Sequence, residues 1–596
     1  MPPSSPSRCA GVAVRYAVYT LLIVAACASV AGRTMSIRSD RGGAPFLSAN
    51  DRSRWCAVRA LVDKGTFAID DVILRKKTLE EVEKARIPSR WIEDYETIKR
   101  KDGTVQRYAL VRDPEWHTID KVYHKAADGK WHYYSSKPPL YIVMLSGQYY
   151  AIKAITGRTI DEEPFYIGRF LILINNVIPL AIMLVVISRI VDGVARTDWA
   201  RYATMTVACL GTFLTTFAIT INNHLPAAAA VAIGLLAVLT IWRGQSRGWW
   251  WFALAGFFGA FAAANELPAL AFFALAGLAC LIRSPLRTLA FGVPAAALVG
   301  AAFFGANYWA HGVSVVDPNI WRPPYAHWGD GAEIARLDPK FAKEPSLMSD
   351  PPANDAPQSN VSAPVTPEFK AEVHAKAIGV PLKGSKEAAM TIRVKDPGKR
   401  WYLWDYATND RYSVVRTGET LALHAWDNWY EYPTSYWTQG PVGIDKGEED
   451  RADYLFHMTL GHHGIFSLTP IWIFAMAGGV QLVVSDRRRL RWIALAALTL
   501  TVVVLAFYVS RPVHQRNYGG MTCGLRWMFW FIPMWLMMLP PALDRMGQWS
   551  LCGFRFGRWI VYAAVAISVF SAHYTPLNPW RSPWLHDYWR YLEWLE

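Results

Sequence analysis

Phe170-Leu-Ile-Leu-Ile-Asn-Asn-Val-Ile-Pro-Leu-Ala-Ile-Met-Leu-Val-Val-Ile187 runs eighteen residues without a charged side chain. Coiled as a helix, eighteen residues reach about 27 Å, close to the thickness of a hydrocarbon core. Similar runs recur along the chain. The spans read from them are roughly 168–190, 200–221, 225–242, 249–264, 267–283, 288–310, 463–484, 490–509, 521–542 and 557–574, after a first one at 12–31. Charge makes up 18% of the 596 residues and is unevenly placed, with long stretches that have almost none, as a membrane chain requires. The fold class expected is therefore an all-α polytopic membrane protein.

The first apolar run follows Arg8 and precedes Arg33 and Arg38. Val24-Ala25-Ala26-Cys27 is similar to a lipoprotein cleavage box, but the spans that follow favour an uncleaved anchor at 1–31. Segment 139–156 is the awkward one, because it carries Gln148, Tyr149, Tyr150 and Lys153. If it does not cross, the loops holding Arg189/Arg196/Arg201, Arg243/Arg247, Arg283/Arg287, Arg487–Arg489 and Arg545/Arg555/Arg558 all fall on one side, the inside. It is therefore read as an interfacial or re-entrant helix, which leaves eleven spans. Outer segments follow at 32–167, with helical patterns and turns, and at 311–462. Spans 2–7 fill 168–310, spans 8–11 fill 463–574, and 575–596 is an outer tail. Within 311–462, the Pro/Ser/Asp/Asn-rich 345–367 reads as disordered and 390–440 as short strands, giving a small β-containing segment.

The formal net charge of +14 raises nucleic acid as a partner. No basic, aromatic-interleaved soluble module accompanies it, so the basic residues read as topology signals and contacts for membrane lipid. Seven cysteines are scattered without CxxC or Cys/His spacing, which gives neither a zinc motif nor a disulfide framework.

On this topology the polar residues that are not topogenic collect at the outer ends of the spans. They are Asp51, Lys137 in Lys137-Pro138-Pro139, Arg169, the turn Asn222-Asn223-His224, the turn Asn265-Glu266, His462-His463, and Arg511, His514, Arg516 and Arg526. Polar side chains persist beside a bilayer where they pair, line a cavity or meet a substrate. Each also has a plainer reading: the two turns as helix caps, the arginines as headgroup contacts, and the tryptophans of 401–437 as core.

Leu47-Ser48-Ala49-Asn50-Asp51-Arg52, with Ala57-Val58-Arg59-Ala60-Leu61 and Gly65, resembles the first outer loop of GT-C glycosyltransferases. These are polyprenyl-phosphate-sugar-dependent enzymes of the protein mannosyltransferase and lipid A aminoarabinose transferase types. Tyr134-Ser135-Ser136-Lys137-Pro138-Pro139-Leu140 is similar to the family's second landmark, and Gly168-Arg169-Phe170 and the turns at 222–226 and 265–268 to later ones. The likeness in layout covers about 1–310. Gly461-His462-His463-Gly464 and Arg516-Asn517-Tyr518-Gly519-Gly520 resemble an uncharacterised bacterial subgroup. Three positions depart from the pattern. Asn50-Asp51 stands where an acidic pair is usual, Asn222-Asn223-His224 where Asp is frequent, and Asn265-Glu266 where Lys is frequent.

The resemblance implies a multi-pass enzyme of the bacterial inner membrane with its site facing the periplasm. It would move a sugar from a polyprenyl-phosphate donor to an acceptor the sequence does not identify. A phosphate leaving group needs no proton, so one carboxylate suffices as base toward the acceptor hydroxyl, and Asp51 is the expected base. The departing phosphate needs cations, from Lys137, Arg169, Arg511 and Arg516 or from a divalent metal. His224 and Glu266 then position substrate or bind that metal. Two other classes compete: a lipid or solute transporter, for which Asn175-Asn176 and Pro179 inside a span are the relevant signs, and a non-catalytic scaffold.

Overall fold

The computed structural model describes residues 6–99, 103–126, 128–246, 248–312, 322–336, 366–370, 389–396, 400–405, 410–418, 420–432, 434–438, 446–550 and 553–595. The chain divides into two compact units. One comprises 1–63, 139–306 and 440–596, and the other 64–138 and 307–439.

The first unit is helical. Among the described residues, six helices are long and apolar enough to cross a membrane: Gly11–Ser36, Pro164–Val194, His224–Arg243, Pro285–His311, Arg488–Ser510 and Phe556–His573. Leu267–Arg283 and Ile471–Val484 are apolar but shorter. The eleven expected spans are thus not eleven full-length helices. At 200–221 the helix Asp198–Leu210 stops and a separate turn, Phe213–Phe217, follows. At 521–542 a 3-10 turn, Arg526–Phe531, leads into Ile532–Met546. Hydropathy cannot register such breaks, since the residues on both sides of them are apolar. Pro139–Thr156 is a helix with the bounds read for the interfacial segment.

Several basic clusters gather at one end of this unit. Arg15 and Arg201 pair with Asp198 at 2.8 and 2.9 Å, Arg487 reaches the Val194 carbonyl at 2.7 Å, and Arg243 reaches that of Gly193 at 2.8 Å. The helix His224–Arg243 carries Arg243 at this end and His224 about 30 Å away at the other. Polar chemistry and topogenic charge therefore occupy opposite ends of one helix.

Asn175 and Asn176 sit in a π-helical turn, Leu173–Val177, inside the second long helix. Pro179 has no N–H to give back to the preceding turn, and the extra residue of a π turn absorbs that gap. The wide turn holds both amides in the protein interior. Asn176 donates to the carbonyls of Ala218 and Thr220 at 2.7 and 2.8 Å, and Asn175 pairs with Gln148. These tie the helix to helix Pro139–Thr156 and to the 218–220 turn, at roughly 1 kcal/mol each. They account for the amide donors of Asn175 and Asn176, on whose in-span polarity a transporter reading would draw.

Backbones approach closely where glycine allows it. A Cβ on Gly478 would lie 2.0 Å from the Met538 carbonyl oxygen, and one on Gly256 2.1 Å from that of Gly292. Gly478→Val is expected to cost about 1–3 kcal/mol by separating Ile471–Val484 from Ile532–Met546. Thermal unfolding in detergent measures it, and an unchanged midpoint would show that the helices do not meet there.

The second unit is built on antiparallel strands. Leu74–Thr78, Val105–Arg112 and Ile92–Lys99 form one sheet, with Val105–Arg112 central. Lys121–Lys125 pairs with Trp131–Ser135. Six strands, in the order Asp330–Arg336, Thr420–Trp426, Asp410–Thr417, Arg400–Asp405, Ala389–Asp396 and Thr366–Lys370, make the largest sheet. Strands therefore occupy part of the segment read as β. The five strands within 74–135 were not expected, because their charged, alternating faces resemble amphipathic helix in a short window. Of the stretch expected to be disordered, 345–365 lies outside the described residues.

The interior of this unit holds an ion cluster. Glu93 accepts from Lys121 at 2.5 Å, Arg112 at 2.7 Å and the Thr434 hydroxyl at 2.7 Å, while Lys121 lies 3.9 Å from the Tyr133 ring centroid. Burial pushes the Glu93 carboxyl up; Lys121, Arg112 and His117 outweigh it and hold it at about 2.

Candidate functional site

Asp51 lies in the first turn of helix Ala49–Lys64 and is fully buried. Its Oδ1 accepts from the Ser48 N–H at 2.7 Å, the Ser48 hydroxyl at 3.0 Å and the Arg52 N–H at 3.0 Å. Its Oδ2 accepts from the Leu47 N–H at 3.0 Å and the Thr220 hydroxyl at 2.8 Å. Ser48 in turn accepts from the Asn50 N–H at 3.1 Å. This is a capping box, Ser48-x-x-Asp51, whose acid also pins the 220 loop. Five bonds fill the lone pairs of a carboxylate, which leaves no acceptor for a substrate hydroxyl. The expected role of Asp51 as base therefore finds no support in its geometry, and the spacing Ser48-x-x-Asp51 was the signal that pointed to a cap.

The next residues along build a different centre. Arg54, one turn beyond Asn50, donates to the Asn50 side-chain and main-chain oxygens at 2.7 and 2.9 Å and to Asn223 Oδ1 at 2.6 Å. Asn223 Nδ2 donates to Glu266 Oε1 at 2.6 Å and to the Asn265 carbonyl at 2.8 Å. His224 Nδ1 contacts the same Glu266 oxygen, and His224 Nε2 lies 2.8 Å from Arg526 Nη1. Arginine only donates, so His224 Nε2 is the unprotonated nitrogen and Nδ1–H points at Glu266. The two turns singled out from the sequence are thus brought together, with two guanidiniums linked in. Arg526 was noticed in the sequence without a role, and Arg54 was missed. Its i+4 spacing from Asn50 is the only local signal that it has.

Glu266 Oε2 accepts no hydrogen bond among the described residues, although the side chain is only 8% exposed. The buried Tyr141 hydroxyl, close enough to Arg54 to interact electrostatically, likewise has no hydrogen-bond partner among the described residues. Unfilled polar atoms beside paired charges mark a place for a polar ligand.

The other predicted residues lie elsewhere. Arg169 donates to the Ile37 carbonyl at 2.7 Å and stacks over Phe165. Arg511 reaches Gln515 at 3.3 Å. Arg516 is buried and spends its donors on the carbonyls of Arg511, Glu448 and Glu449, so it serves the backbone. Lys137 belongs to the second unit, where it pairs with Asp120 at 2.8 Å. His462 and His463 sit with His457, His586 and Glu448 in a second polar cluster of the first unit.

The long apolar helices are those of a helical membrane protein. No family model matches the chain, and no curated protein does. Among solved structures, an oligosaccharyltransferase of Archaeoglobus fulgidus in the apo form is similar to it, at 12% identity and a TM-score of 0.39. The match covers 97% of this chain and 57% of that one. A likeness of that extent carries no inference about activity.

Proposed function

We propose that the chain is a membrane glycosyltransferase that uses a polyprenyl-phosphate-linked sugar, with Glu266 as the carboxylate facing the acceptor. The observation that carries this reading is the centre made by Glu266, His224, Asn223, Arg54 and Arg526. It offers one carboxylate oxygen without a partner beside two guanidiniums, at the polar ends of apolar helices. The open Oε2 suits a proton acceptor. The guanidiniums suit a phosphate leaving group, whose charge grows as the sugar–oxygen bond breaks. Asp51 then acts by position: it fixes the start of the helix that presents Arg54 and holds Thr220 two residues from Asn222.

The test is transfer of labelled sugar from a panel of polyprenyl-phosphate donors by protein purified in detergent. Asp51→Asn is expected to lower stability by about 1–3 kcal/mol, since an amide NH2 would face backbone donors, while the folded protein keeps transferring. Loss of transfer in a fully folded Asp51→Asn protein would return the base to Asp51. If no donor supports transfer by the folded wild type, the class is wrong.

A further inference from the structure

Glu448, His457 and His462 place one ligand atom each within 4.8 Å of one another, apart from the Glu266 centre. Glu448 Oε1 is 3.4 Å from His462 Nε2 and 4.0 Å from His457 Nε2. Ligands about 2.0–2.1 Å from a tetrahedral ion stand about 3.3 Å apart, so little movement closes the set. We propose that these three side chains bind a divalent transition-metal ion of the zinc class.

The surroundings support a metal over a bare histidine cluster. A metal on His462 Nε2 requires the proton on Nδ1, and His462 Nδ1 lies 2.5 Å from His463 Nδ1, which can accept it. Glu448 binds through one oxygen in this scheme, and its other oxygen takes the Tyr518 hydroxyl. Both ligands thus have the outer partners that orient metal ligands. His463 is fully buried and stacks on Tyr518; among the described residues its Nε2 and the buried His457 Nδ1 have no hydrogen-bond partner. Two imidazoles and a carboxylate select zinc-like ions over magnesium or calcium, and they leave a fourth position open.

The local sequence is shaped for this. Asp450 caps helix Arg451–Thr459 and sets His457 in its last turn. A Cβ on Gly461 would stand 2.5 Å from His457 Nδ1, and one on Gly464 2.7 Å from the Thr459 carbonyl oxygen. Only glycine lets the chain fold back tightly enough for His462 to meet His457. The ion would clip the 448–462 stretch to Tyr518, and the Gly519 carbonyl next to it accepts from Arg526.

Cobalt(II) is the probe, titrated into metal-stripped full-length protein without a polyhistidine tag, with visible absorption and equilibrium dialysis as readouts. About one cobalt per chain is expected, with the intense bands of a low-coordinate nitrogen–oxygen site, displaced by zinc. His462→Ala and Glu448→Gln should each weaken binding at least ~10-fold. If His462→Ala does not fold, Glu448→Gln decides, because glutamine can still bond Tyr518. Sub-stoichiometric cobalt in the wild type, or unchanged affinity in a folded variant, overturns the proposal.

Discussion

Glu266→Gln is expected to reduce sugar transfer by about 10²–10⁴-fold while leaving the protein folded. Glutamine matches glutamate in shape, and its oxygen can keep the bonds from Asn223 Nδ2 and His224 Nδ1 at the Oε1 position. What changes is the other end of the group, where an NH2 replaces the oxygen that has no partner. A general base cannot be mimicked by an amide, so the loss should appear in kcat with little change in KM for the donor. The contrast with Asp51→Asn is the sharper measurement. Asp51 accepts five bonds and Glu266 Oε2 none, so the two substitutions should separate stability from turnover. Transfer by Glu266→Gln within tenfold of wild type would remove Glu266 from the chemistry.

In the strand-built unit, Glu93→Met should cost about 3–5 kcal/mol, because it strands Lys121 in the interior without its counter-charge. For a unit of this size the unfolding midpoint should fall by roughly 6–20 °C. Adding Lys121→Met should recover much of the loss, since removing both charges also removes their desolvation cost. Such a pair costs little to delete and a great deal to break. Acid should act like the single mutant. The folded carboxyl sits at about 2, against an ordinary value near 4.5, so its contribution of about 3 kcal/mol is present above that ordinary value and is lost as the pH falls towards 2. A Glu93→Met protein as stable as wild type, or a double variant no better than the single one, would show that the cluster does not hold the unit together.

Long apolar runs separated by basic loops carried the membrane class, because lipid imposes its demand on composition segment by segment. The strand runs at 390–394, 401–404 and 420–424 were also legible, from β-branched and aromatic residues, and fall within Ala389–Asp396, Arg400–Asp405 and Thr420–Trp426. The strands within 74–135 were not, nor was the break between Leu210 and Phe213. Such features depend on which partner a segment meets, and short windows do not contain the partner.

At the candidate site, sequence reading picked out His224 and Glu266 as polar residues at two turns. It could not tell that Asn223 and His224 from one turn share a single oxygen of Glu266 in the other. Nor could it tell that Arg54 and Arg526, 472 positions apart (526 minus 54), close the network from both sides. It assigned Asp51 by family likeness, although Ser48-x-x-Asp51 already spelled a cap. The sequence alone determined the solvent, since burial in lipid or water is a property of each segment's own side chains. Only the tertiary structure decided which carboxylate has a lone pair to spare, because that depends on donors brought in from distant parts of the chain.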